Sequence, residues 1–137
     1  MNLAATAWGF SGSPVTAGEL ASSQNVVRLV NLGLVTRGRY IPNPLPNNAD
    51  PGPTPPPGPN VTRFVILMNY HRINNEVQQG SEAHRRIIQS VFAHELGHAF
   101  GLEDASYTNS IMHTGRDRSE LFLPTPHDRE SISWLHQ

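Results

Sequence analysis

The chain is expected to adopt an α+β fold in which a short twisted sheet packs on one long helix. Three stretches carry that expectation. Residues 61–70, VTRFVILMNY, read as a strand with Phe64, Ile66 and Met68 on one face and Val65 and Leu67 on the other, so both faces are apolar. Residues 81–101, SEAHRRIIQSVFAHELGHAFG, read as a helix, because Ile87, Ile88, Val91, Leu96 and Ala99 recur at helical spacing. Residues 125–136, TPHDRESISWLH, read as a second, shorter helix whose Ile132 and Leu135 are expected to face the core.

The helix ends are written in local chemistry. Ser81 can accept from the free N–H groups of the first turn, and Glu82 suits its positive end. Gly101 stands where a left-handed residue closes the long helix. In the shorter helix Thr125 is the expected cap, Pro126 the first helical residue and Asp128 the reciprocal capping acid. Further toward the N-terminus, residues 4–8 suggest the end of a short helix, and VVRLV (26–30) and LVTRGRYI (34–41) suggest strands. Residues 42–59, PNPLPNNADPGPTPPPGP, are too rich in proline for a central strand or a helix and are expected to form an extended loop. The whole of 1–137 is expected to be one domain carrying this loop.

Composition narrows the function. A formal charge of −1 supplies no general attraction for nucleic acid or an acidic membrane surface, and neither is expected as a partner. No apolar run reaches the length of a membrane span. The start, MNLAATAWGFSG, lacks the basic and long apolar regions of a signal peptide, and is read as a mature or trimmed form of a secreted protein. With no cysteine, the chain has no disulfide, no thiolate ligand and no thiol nucleophile.

The chemistry lies in HELGHAFGLED, residues 94–104. His94 and His98 are one turn apart, so both imidazoles leave one helix face and can share an ion. Glu95 is one position round from His94. It cannot easily join that pair as a ligand, but it can reach a water beside the ion, the place of a general base in a metal hydrolase. Gly101 turns the chain, and Asp104 can return toward the ion from the loop. A chance match to this extended pattern has a probability of roughly one in 10⁴.

These residues resemble the metzincin clan of zinc metallopeptidases. The clan's motif, HExxHxxGxx followed by a third ligand, is matched by His94, Glu95, His98, Gly101 and Asp104. The clan also carries a methionine turn beneath the metal, and Ser110-Ile111-Met112-His113 fits it. Asp128, Ile132 and Leu135 reproduce the spacing of the terminal helix in matrixins. An aspartate as third ligand in so short a chain is most similar to the snapalysin type. The resemblance implies a small metzincin-like domain with the sheet on a zinc-bearing active-site helix and with the methionine turn and C-terminal helix below the cleft. It implies one catalytic zinc held by His94, His98 and Asp104, Glu95 as the catalytic base, Gly101 and Met112 as structural residues, and a peptide or protein substrate cleaved by a monomeric enzyme. Two features depart from it. Snapalysin-like enzymes have a disulfide near the metal loop, which this chain lacks. Matrixins follow the methionine with Pro-x-Tyr, where this chain has His113-Thr114-Gly115-Arg116.

Glu103, His113 and His71 are the rivals of Asp104 for the third position, while His84, His127 and His136 read as surface histidines. Calcium is not expected, since the loops lack clustered acids. Two other functions compete with the zinc endopeptidase: a catalytically silent zinc-site binding module on the same scaffold, and a hydrolase acting on another kind of carbonyl. Retention of Glu95 argues against the silent module, because a structural site has no use for that acid.

Overall fold

This computed structural model describes residues 2–10, 12–15, 17, 23–43 and 63–137. Apart from Pro42 and Asn43, the predicted proline-rich loop lies outside them. The architecture is α+β, as the sequence predicts. Its elements are α1 (Asn2–Trp8), β1 (Val26–Val30), β2 (Gly38–Pro42), β3 (Phe64–Asn69), α2 (Tyr70–Asn74), α3 (Glu82–Ala99) and α4 (Pro126–Leu135).

The three strands form one sheet in the order β1-β3-β2. β3 runs parallel to β1, with Val26 opposite Val65, and antiparallel to β2, with Tyr40 opposite Ile66. The central strand is the one with apolar residues on both faces; Val65, Ile66 and Met68 are buried. β3 stops at Asn69 because that side chain is occupied elsewhere. Its amide donates to the Gly33 and Thr36 carbonyls, and its oxygen accepts from the N–H groups of Leu32 and Arg72. Asn69 thereby caps α2, so Tyr70, expected to end the strand, begins a helix instead. β2 is likewise shorter than expected, because residues 34–37 are spent on the turns that Asn69 ties down.

α3 packs against the sheet and is the longest element. The Ser81 side chain accepts from the His84 N–H, and beyond the end of the helix Gly101 has a φ of 103°, a left-handed geometry that suits glycine. Trp8 brings α1 onto the other flank. It is fully buried and donates its indole N–H to the Ala93 carbonyl of α3 at 3.0 Å. In α4, Thr125 and Asp128 form the reciprocal capping box, and Ile132 is fully buried.

Two expectations are corrected. Leu135 is 54 % exposed, since it lies at the last turn of α4 and only brushes the chain near Gly101. His84 is buried, because its ring is held in the corner between α2 and α3, with Nε2 2.8 Å from the Asn74 side-chain oxygen and Nδ1 accepting from the Gly80 N–H.

Candidate metal centre

Helical periodicity puts Ser90, His94 and His98 on one face of α3. Backbone oxygens then orient both rings. His94 donates from Nδ1 to the Ile111 carbonyl at 2.9 Å, and His98 donates from Nδ1 to the Leu102 carbonyl at 2.8 Å. A carbonyl only accepts, so each Nδ1 carries the proton and each neutral ring presents a bare Nε2 lone pair. Arg116 also lies 3.2 Å from His94 Nδ1, but both groups are donors there, and its Nη1 donates instead to the His113 carbonyl at 2.9 Å.

The two bare nitrogens face each other 3.2 Å apart. Asp104 Oδ1 closes the triangle, 3.3 Å from His94 Nε2 and 3.4 Å from His98 Nε2. With both rings neutral, three acceptors converge with no proton between them. The carboxyl of Asp104 sits below the usual carboxylate range, first through its contact with His94 and against its partial desolvation. Protonating His94 would relieve the triangle, but burial pushes that ring's pKa down. Such an arrangement could hold a cation.

Glu95 turns from the same helix toward β2 and is 6 % exposed. Burial raises its pKa to about 8, against the pull of Arg116 and a hydrogen bond from the Tyr40 backbone. The strand can come so close because position 38 is glycine. A Cβ on Gly38 would stand 2.8 Å from Glu95 Oε1 and 2.5 Å from a Val91 methyl. Met112 is 2 % exposed and lies against Gly97 of α3, where any Cβ would run into its sulfur.

A comparison with known families matches residues 56–137 to the matrixin peptidases, more than half of the chain. The chain belongs to the matrixin family. No curated protein and no solved structure matches it significantly. As a matrixin it is a metzincin-clan metallopeptidase, and the family's members bind a catalytic zinc, act on peptides and are generally extracellular. Among the described residues no helix is long and apolar enough to cross a membrane. The matched region of this matrixin contains β3, α2, α3 and α4 with His94, Glu95, His98 and Asp104, whereas α1, β1 and β2 precede it.

The donor set fits zinc. Ligand atoms about 2.0–2.1 Å from a tetrahedral ion are separated by about 3.3 Å, which is the spacing of the three acceptors here. His113, His71 and Glu103 do not join them; among the described residues the group of clustered metal donors is His94, His98 and Asp104. The exposed His127 ring packs on Tyr107, and His136 meets the Phe100 carbonyl at 2.8 Å.

The matrixin site depends on residues that sequence reasoning missed. Arg116 is 6 % exposed and is tied to α3 by bonds to the Ser90 hydroxyl and carbonyl, at 2.9 and 2.8 Å. Burial, with Arg118 beside it, lowers the Arg116 guanidinium to about 9. Trp8 and Gly38 come from the unmatched part of the chain. No spacing rule links them to residues 94–104, so only contact in space reveals their part.

Proposed function

We propose that the chain is a zinc-dependent endopeptidase with an aspartate-completed site of the snapalysin type, in which His94, His98 and Asp104 would hold the ion and Glu95 is the general base. The observation that carries this reading is the triangle of proton-free acceptors beside a buried carboxylate. When bound, the ion supplies Lewis acidity, making a water more acidic and a peptide carbonyl more electrophilic.

The residues of the chain do the rest. Ile111 and Leu102 fix the imidazole tautomers through their carbonyls, which keeps both Nε2 lone pairs directed inward. Glu95 accepts a proton from the attacking water on its carboxylate and returns it to the leaving amine nitrogen. Burial raises its pKa to about 8, while the nearby Arg116 charge and the Tyr40 backbone pull it part of the way back toward the ionised form. β2 pairs with β3 along one edge and borders the cleft, so its other edge can take an extended peptide as an added strand. Residues 1–137 act as one catalytic domain in a secreted monomer. The packing of Trp8 and of β2 on α3 supports including the segment that precedes the matched region.

The direct test is hydrolysis of casein by the purified chain. Activity should vanish with a chelator and return with zinc. Metal-independent hydrolysis would sink the reading, and zinc binding without any hydrolysis would restore the silent binding module.

A further inference from the structure

We propose that the cleft selects peptides bearing a carboxylate at a residue flanking the scissile bond, and that Arg118, with Arg116 behind it, determines that preference. This inference rests on the endopeptidase reading for its biological meaning, although the recognition itself can be measured without cleavage.

The cleft encloses about 690 Å³ and its lining includes Arg37, Arg39, Arg116 and Arg118. Its carboxylates, Glu95, Glu103 and Asp104, all come from α3 or the loop just after it. Arg37 is already paired with Glu76 at 2.5 Å. Arg116 and Arg118 are different. Among the described residues neither forms an ion pair with a carboxylate. Arg116 donates to the Ser90 hydroxyl, the Ser90 carbonyl and the His113 carbonyl. Arg118 donates to the Arg116 and Thr114 carbonyls, at 3.3 and 2.7 Å. Its Nε is buried and has no acceptor.

Each guanidinium has five N–H donors and a permanent charge. Neutral oxygens accept the hydrogen bonds of these two, and the carboxylates of Glu95, Asp104 and Glu76 act on them only through space. A desolvated guanidinium without a directly bonded carboxylate is costly, and the cost falls when a ligand supplies one. The location is set by His94, whose Nδ1 is 3.2 Å from Arg116. Arg116 and Arg118 line the same cleft as His94, His98 and Asp104, so a peptide with its carbonyl at that group can bring a neighbouring side chain to this pair. A carboxylate suits planar guanidinium donors, and its charge strengthens every such bond.

Two sources could provide the carboxylate, an internal Asp or Glu side chain or a free peptide C-terminus. The proposal takes the side chain, and the experiment separates the two. Matched peptides carrying Glu or Gln in turn at each position around one cleavable bond, each with an acid or amide C-terminus, are offered to the zinc-loaded protein. Glu should raise kcat/KM about ten- to a hundredfold over Gln at one flanking position, with either C-terminus. Arg118→Glu should reverse the preference toward Arg or Lys at that position, and Arg118→Gln should flatten it. Thermal melting and zinc content of both variants show that they fold. In parallel, the Glu and Gln peptides are titrated onto the zinc-loaded Glu95→Gln protein by calorimetry.

Cleavage with equal rates on Glu and Gln peptides overturns the proposal and leaves the endopeptidase reading standing. A preference that follows the C-terminal acid alone also overturns it. Absence of cleavage with tighter binding of Glu peptides, lost in the Glu95→Gln, Arg118→Glu double variant, keeps the recognition and removes the protease. Neither cleavage nor selective binding overturns both.

Discussion

Two polar clusters share the turn at Met112, and they differ in one respect. Around Asp128, acceptors meet donors. Its carboxylate, 1 % exposed, accepts from the Ser110 hydroxyl at 2.5 Å, the Ile111 N–H at 2.9 Å, and the Thr125 N–H and hydroxyl, both at 2.8 Å. Around Asp104, acceptors meet acceptors at 3.2–3.4 Å, and the carboxylate side chain is 55 % exposed. The first cluster is satisfied within the chain, and the second is the group that could hold an ion. A satisfied buried carboxylate marks architecture, while converging lone pairs at the mouth of a cleft suit the cation proposed for them. Ile111 joins the two clusters, giving its N–H to Asp128 and its carbonyl to His94.

The comparison can be broken at several points. The largest expected effect is on chemistry. Glu95→Gln should lower kcat/KM on a peptide substrate by about two to four orders of magnitude while zinc content stays near one per chain. Loss of zinc in that variant would mean that Glu95 helps hold the ion. Next comes the unsatisfied cluster itself. Asp104→Ala should weaken zinc binding at least about a hundredfold in competition with a chromogenic chelator, more than changing an outer partner of a ligand does. Asp104→His should remain within about tenfold of the parent, since imidazole also binds zinc well. Equal affinity of the alanine variant and the parent would remove Asp104 from the site.

The satisfied cluster should respond in stability instead. Asp128→Ala strands the Ser110 hydroxyl and the Ile111 N–H, and should cost about 3 kcal/mol in urea unfolding of the zinc-free protein. An unchanged midpoint would show that the carboxylate contributes nothing to the floor. Smaller still is Gly97→Ala. Its Cβ meets the Met112 sulfur and lies 3.2 Å from Trp8 Cζ2. Because the methionine can give way, the expected loss is about 1–2 kcal/mol. The smallest effect belongs to Gly101→Ala. There is open space around its Cβ, with Leu135 Cδ1 3.8 Å away, so only the positive φ is penalised, by about 1 kcal/mol. A more stable Gly101→Ala protein would show that the loop after α3 can relax.

What depends on neighbours along the chain is legible in the residues alone. Ser81 as cap, Gly101 as terminator and the Thr125–Asp128 box each act within one helical turn, where chain connectivity already supplies the geometry. The shared face of His94 and His98 follows from the same periodicity, and Gly101 with a three-residue loop kept Asp104 within range. Tertiary structure alone decided what depends on partners far along the chain. Asn69 falls within the predicted strand, yet its side-chain oxygen caps α2 at the Arg72 N–H while its amide holds the Gly33 and Thr36 carbonyls. The spacing predicts Asp128 as a local cap, but half of its donors come from Ser110 and Ile111. Trp8 beneath α3, Gly38 against Glu95 and Arg116 behind His94 carry no periodic signal. Their roles arise because folding removes water from each group and leaves its partner to be supplied from wherever the chain has been packed.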